Sequence, residues 1–232
     1  SLIVLNLVAA TYNAAIDPAV RQTAAVHFKN TVKKAWDPED DLLIAEHDIL
    51  TIKQHIIQLM CTVPPQIQAL LSESISLIAN VDYYEKWLNL LPDLVQQMDS
   101  TDLNVVVGIL KTANSIFKRF RFVQRSDELY KIIIYTLNGI QEPLLKIFKK
   151  LGQEVQTSSN DVNALKPRME ALRLICRIFY SLNYQDLPEY FEDHMGEWMT
   201  DFAAYLQYQN PLLVDADEED EPGPIDKLQA AI

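Results

Sequence analysis

The chain has 232 residues, 49 % of them hydrophobic and 22 % charged, which is ample apolar material for a core and excludes the disordered class. Five glycines are too few for the tight turns of an all-β protein, so long helices are expected. A formal net charge of -12 opposes binding to phosphate backbones and anionic membrane surfaces and favours basic proteins as partners.

The opening "SLIVLNLVAATYNAA" is apolar, but it lacks a basic leading region, and Asn6, Thr11 and Asn13 interrupt it. It reads as a buried helix, not a signal peptide or membrane span. The sequence starts at Ser1 and stops at "DKLQAAI" inside helix-like patterns without caps, as expected for a piece of a longer protein. Cys61 and Cys176 form no CxxC pair and sit in apolar periodic stretches, which suits buried thiols of an intracellular protein.

In "PAVRQTAAVHFKNTVKKAW" the residues Ala25, Phe28, Val32 and Trp36 recur at intervals of three and four and define one buried helical stripe. Lys33 and Lys34 favour the negative end of that helix, and Pro38 forces Asp37 out of helical conformation. A second helix is expected from about Asp48, read as its N-cap, with Ile49, Ile52, Ile56 and Leu59 inward, ending before "VPP". The next pair runs from "PQIQALLSESISLIANV" through "DYYEK" into "WLNLLPDLVQQM". Another joins "LNVVVGILKTANSIFKRF" to "SDELYKIIIYTLNGIQEPLLKIFKK", and a further one joins "LKPRMEALRLICRIFYSL" to "DLPEYFEDHMGEWMTDFAAYL".

The expected units are therefore a partial one over 1–14, pairs over 18–62, 65–99, 102–150 and 163–208, and the start of another at 225–232. First helices begin near Pro18, Pro65, Asp102 and Asn163, at spacings of 47, 37 and 61 residues. Two-helix units of roughly 40–47 residues mark HEAT or armadillo-type arrays, in which stacked neighbours complete a core that one hairpin cannot. The fold class expected is all-α, an α-solenoid of antiparallel helix pairs of the HEAT type over 1–232.

No pattern points to catalysis. His27, His47, His55 and His194 share no metal-ligand spacing, and Walker, GxGxxG, GxSxG and HExxH motifs are absent, so no metal, cofactor or catalytic residue is assigned. Glu189, Glu192 and Asp193 could imitate an acid/base pair, but a helix with Leu187, Tyr190, Phe191, Met195 and Trp198 inward displays such acids to solvent anyway. The basic and aromatic ends "FKNTVKKAW" and "IFKRFRF" could suit single-stranded nucleic acid only if their rings were exposed, and Trp36, Phe117 and Phe120 fall on apolar stripes. The run "DADEEDE", Asp215 to Glu221, reads as a mobile, solvated loop between pairs, able to attract a basic tail.

At "SIFKRFRFVQRSDELY" (Ser115 to Tyr130) and "YSLNYQDLPEYFEDHM" (Tyr180 to Met195) the chain resembles the importin-α-exporting members of the importin-β (karyopherin) superfamily. "HFKNTVKKAW" is similar to the superfamily's N-terminal signature, and the resemblance covers essentially the whole chain. Two departures stand out. Where the family usually has Phe-Pro and Trp-Pro, this chain reads Tyr83-Tyr84 and Trp87-Leu88, and the first helix of the first repeat is missing.

The resemblance implies a carrier that shuttles between nucleus and cytoplasm, binds Ran in its GTP form together with importin-α, and catalyses nothing. It admits nuclear pore components as further partners and implies neither direct nucleic-acid binding nor membrane insertion. In the family Ran meets the concave side of the early repeats, formed by second helices. With Ile52, Ile56 and Leu59 inward, Gln54 and Gln58 project outward; with Leu91, Leu94, Val95 and Met98 inward, Asp93 and Gln97 do so. With Leu129, Ile133, Leu137 and Ile140 inward, Lys131, Tyr135 and Glu142 complete the candidate contacts. The other reading of the pattern is a general helical-repeat scaffold that binds a different basic peptide or protein.

Overall fold

The computed structural model describes residues 2–37, 39, 44–158, 160–214 and 222–232. Pro38 and the acidic run Asp215 to Glu221 lie outside the described residues. Among the described residues every regular element is a helix, and the chain divides into two compact units, Ser1–Gln97 and Met98–Ile232.

The first unit holds α1 (Leu2–Tyr12), α2 (Pro18–Ala35), α3 (Glu46–Thr62), α4 (Pro65–Asp82) and α5 (Leu90–Gln97). Helix α2 starts where the Asp17 carboxylate accepts the Ala19 N–H at 2.9 Å and Pro18 takes a position with no N–H to lose. Its stripe of Ala25, Phe28, Val32 and Trp36 is buried, and the helix packs on α1 and α4. Val4, Val8 and Thr11 of α1 are also buried; the Thr11 hydroxyl donates to the Val8 carbonyl at 2.7 Å, so a polar residue that interrupts the apolar run is satisfied inside. Among the described residues no helix is long and apolar enough to cross a membrane.

Helix α3 departs from the expected register. It begins at Glu46 after Ala45, and Asp48, expected as the cap, lies buried inside the first turn. Its buried row is Ile52, Ile56, Ile57 and Met60, while Ile49 and Leu59 are only half-buried, because the helix touches α1, α4 and α5 and its contact face is rotated toward Met60. Helix α4 lies against both α2 and α3. It therefore buries Ser74 and Ser76, whose hydroxyls return to the Leu70 and Ser72 carbonyls at 2.9 Å.

The ends of α2 and α4 and the middle of α3 are tied by one carboxylate. Asp82 Oδ2 accepts the Trp36 indole N–H at 2.7 Å and pairs with the Lys53 ammonium at 2.8 Å, and Lys53 also donates to the Lys86 carbonyl at 2.9 Å. Trp36 and Asp82 are 5 % exposed. Immediately beyond, Tyr84 has φ 80°, a left-handed conformation that proline cannot adopt.

The second unit holds α6 (Leu103–Phe117), which tightens into a 3-10 turn over Lys118–Arg121, then α7 (Asp127–Thr157) and α8 (Val162–Asn183). After these come α9 (Glu189–Asp193), α10 (Met195–Leu206), α11 (Pro211–Val214) and α12 (Pro224–Gln229). Asp102 caps α6 through the Asn104 N–H at 2.9 Å, Ser126 caps α7 through Leu129 at 3.1 Å, and Asp161 caps α8 through Asn163 at 3.0 Å. The expected helix over "DLPEYFEDHMGEWMTDFAAYL" is broken at His194 into α9 and α10, and Leu187, expected inward, is exposed ahead of α9. Phe191 and Trp198 are fully buried, whereas Tyr190 and Met195 are half-buried. Trp198 stacks on Phe148 of α7 at 4.7 Å and lies 4.6 Å from Phe179 of α8, so an aromatic cluster joins three helices. Burial pushes the Cys176 thiol of α8 up to about 12, as suits an inert core residue.

One packing rule recurs inside each unit. First helices lie beside first helices, α2 on α4 in one unit and α6 on α8 on α12 in the other, and second helices beside second helices, α3 on α5 and α7 on α10. A second helix also packs on the first helix that follows it, as α1 does on α2, α3 on α4 and α7 on α8. The apolar face of a pair is thus covered by its successor.

Candidate partner-binding surface

Polar residues that project from second helices, away from the rows that pack on neighbouring helices, are the candidates for meeting a partner. On α3, Gln54 and Gln58 are one turn apart and exposed, opposite the buried Ile52, Ile56 and Met60. On α5 the expected inward residues Leu91, Leu94 and Met98 are buried, with Val95 half-buried. Asp93 and Gln97 are not fully exposed as expected but half-buried. This helix has eight residues, so Asp93 sits in its first turn and Gln97 at its end, beside the connections, with no long free face between them. Burial holds the Asp93 carboxyl above the usual carboxylate range.

On α7 the row Leu129, Ile133, Leu137 and Ile140 is buried, and Lys131 and Glu142 are exposed. Tyr135 is half-buried, a correction to its expected exposure: α7 contacts both α8 and α10, so it covers more than its apolar stripe. Glu142 faces Tyr190 closely enough for its charge, added to burial, to raise the Tyr190 phenol. Gln54, Gln58, Asp93 and Gln97 belong to the first unit, and Lys131, Tyr135 and Glu142 to the second.

Two surface residues of α7 escape the sequence reading. Tyr130 is 61 % exposed and Ile134 is also exposed, on either side of Lys131 in sequence. Their signal was present: in "LYKIIIYTL" the row Leu129, Ile133 and Leu137 accounts for the core, which leaves Tyr130 and Ile134 as apolar surplus. His27, His47 and His55 are exposed, and His194 Nδ1 lies 2.8 Å from the Tyr190 carbonyl. Among the described residues no group of three His, Cys, Asp or Glu side chains is placed to hold a metal ion.

Comparison with known proteins accounts for both ends of the chain. The Cse1 family model matches residues 116–232, and the model of the importin-beta N-terminal domain matches residues 4–62. The chain is 42 % identical over 218 residues to Exportin-2 of Oreochromis niloticus and 40 % identical over 218 residues to Exportin-2 of Homo sapiens, covering 93 % of this chain and 22 % of each relative. Its structure is similar to that of the exportin Cse1 in its cargo-free, cytoplasmic state, with a TM-score of 0.91 at 32 % identity over 98 % of this chain and 25 % of that one. The fold is shared by Lph2, a bidirectional nuclear transport receptor of S. cerevisiae, with a TM-score of 0.72 at 18 % identity over 99 % of this chain and 22 % of that one. The chain thus spans 22 % of the length of the Exportin-2 relatives, and its helix pairs are of the HEAT-type α-solenoid class. With that family's model matched across half of its residues, the chain belongs to the Cse1 family.

Proposed function

We propose that this chain is part of a nuclear transport receptor, that it binds Ran in the GTP form through the outward faces of its second helices, and that it contributes to nuclear export of importin-α. Membership of the Cse1 family, with relatives named Exportin-2, is the observation that carries the reading. The receptor shuttles between nucleus and cytoplasm and needs no chemistry of its own. The γ-phosphate of GTP orders the switch segments of a GTPase, and a fixed surface shaped to the ordered form binds it more tightly than the relaxed one. Helices with buried apolar rows supply a fixed surface within each unit; Gln54 and Gln58 are the best-placed contacts of the first unit, followed by Asp93 and Gln97, and Lys131 is the best-placed of the second, followed by Glu142 and Tyr135. The net charge of -12 complements the lysine- and arginine-rich arm of importin-α and speeds its encounter.

Hydrogen exchange of the chain with and without Ran-GTP tests the assignment. Protection is expected on α3 around Gln54 and Gln58 and on α7 around Lys131. The paired substitution Gln54→Lys with Gln58→Lys is expected to weaken binding about tenfold or more. Unchanged affinity in that variant, or protection confined to first helices, would remove these residues from the contact.

A further inference from the structure

The two stretches that carry the family resemblance, Ser115–Tyr130 and Tyr180–Met195, are brought together at one corner of the second unit. Where α6 passes into the 3-10 turn Lys118–Arg121, the shorter turn sends Phe120 inward, 1 % exposed and stacked 5.7 Å from Phe117, and throws Phe122 outward, 81 % exposed. The Arg121 guanidinium lies 5.4 Å from the Phe122 ring and 5.4 Å from the Tyr180 ring of α8, and Tyr180 meets Tyr184 edge-on at 5.5 Å. The corner is braced from below. Gln185 donates to the Phe120 carbonyl at 2.7 Å and the Val123 carbonyl at 3.1 Å, and the Arg125 guanidinium donates to Gln185 Oε1 at 3.1 Å and to its backbone carbonyl.

This corner has the makings of a recognition surface. Phe122, Val123, Tyr180, Tyr184 and Leu187 are all exposed, a concentration of apolar surface that marks an interaction site. A depression of ≈ 340 Å³ lies beside it, whose lining includes Arg125, Asp127, Leu129, Tyr130, Gln185 and Asp186. The segment Lys118 to Ser126 carries four cations and no anion in a chain of net charge -12. Arg121 gives its Nε–H to the Lys118 carbonyl at 3.3 Å, and no ion pair joins it to a carboxylate among the described residues. A guanidinium flanked by two rings is fixed in direction, and its outer N–H edge matches a carboxylate.

We propose that this corner docks an acidic peptide segment in which Asp or Glu alternates with Leu or Phe, one carboxylate on Arg121 and one apolar side chain over Phe122 and Tyr180. Charge complementarity with the cationic turn selects an acidic occupant, and the exposed rings select one with apolar side chains. A nucleic acid fits less well, because its unbroken row of phosphates would have to pass the carboxylates of Asp127 and Asp186, whereas a peptide can set a single carboxylate on Arg121 and apolar side chains elsewhere. The surface shares no residue with those assigned to Ran, and the depression beside it adjoins one of them, Lys131, through Tyr130 on α7.

Fluorescence anisotropy of a labelled 12-residue peptide of alternating Glu and Leu with a central Phe, titrated with the chain, tests the proposal. Saturable binding is expected, weakened about tenfold by Arg121→Gln and about fivefold by Phe122→Ala. It should also be lost when Gln replaces Glu in the peptide or Ser replaces its Leu and Phe. Lys146→Gln, the same charge change on exposed α7 surface, is expected to stay within about twofold of the parent, and unchanged melting curves establish that both corner variants remain folded. The proposal is overturned if the peptide does not bind or if Arg121→Gln and Lys146→Gln weaken it alike. It is equally overturned if a 12-residue oligouridine binds more tightly than the peptide, or if the chain self-associates through this corner in a way that Phe122→Ala abolishes.

Discussion

Asp82 offers the most direct test of how the first unit holds its helices. Its carboxylate takes two donors, the Trp36 indole at 2.7 Å and the Lys53 ammonium at 2.8 Å, with side-chain exposures of 7 % for Asp82 and 11 % for Lys53. Asp82→Ala strands a buried indole N–H, worth about 1–3 kcal/mol, and leaves Lys53 without its counter-charge, worth about 3–5 kcal/mol where burial is complete. Lys53 keeps the Lys86 carbonyl and a little solvent, and the two losses share one group. A total of about 4 kcal/mol is therefore expected. Asp82→Asn, which keeps an acceptor for the indole, should lose about 2 kcal/mol, and Asp82→Asn combined with Lys53→Met should recover to within about 1 kcal/mol of the parent. Urea unfolding followed by tryptophan fluorescence measures all three. A loss below about 1 kcal/mol for Asp82→Ala, or no recovery in the double variant, would refute the argument that this carboxylate ties α2, α3 and α4 together.

Three further predictions concern stability. Because burial raises the folded pKa of Asp93 above its ordinary value of 3.8, the native state binds more protons than the unfolded state between those two values, and stability falls as pH rises through that window. Asp93→Asn should therefore raise the urea midpoint at pH 7 and lose that advantage below the ordinary value; a lower midpoint at pH 7 would contradict the assignment. A Cβ on Gly152 would overlap the Tyr205 hydroxyl, which belongs to a ring packed 5.5 Å from Phe148, so Gly152→Ala should destabilise by about 1 kcal/mol despite better helix propensity. Gly196→Ala, in open space, should stabilise by about 0.5 kcal/mol; thermal melts separate the two. Tyr84 at φ 80° predicts a gain of up to about 1 kcal/mol for Tyr84→Gly and a loss above about 2 kcal/mol for Tyr84→Pro, both readable in the same melts.

Helical stripes were legible where the buried row keeps its spacing of three and four along the helix. Ala25, Phe28, Val32 and Trp36 on α2, and Leu129, Ile133, Leu137 and Ile140 on α7, were found by spacing alone and are buried. The reading slipped where packing has several directions or a helix breaks. Helix α3 touches three neighbours, so its buried row is rotated and Asp48 becomes an internal residue instead of a cap. The helix expected over "DLPEYFEDHMGEWMTDFAAYL" breaks at His194, so Leu187 is exposed instead of inward, whereas Phe120 is core as its spacing required even though α6 tightens into a 3-10 turn there. Among the candidate contacts, Gln54, Gln58, Lys131 and Glu142 lie at the surface as their spacing required. Asp93, Gln97 and Tyr135 are only half-exposed, because a short helix and a doubly contacted one offer less free face than a lone amphipathic helix. Trp36, conspicuous at the end of a basic helix, is explained by the carboxylate of Asp82, 46 residues away, which no local pattern could supply.

Nucleotide-dependent binding of Ran is the measurement that bears most directly on the account. Titration of the chain with Ran loaded with GTP and with Ran loaded with GDP is predicted to give clearly tighter binding of the GTP form, in line with a fixed helical surface that fits ordered switch segments. Equal affinity for the two forms, or binding of neither, would contradict it.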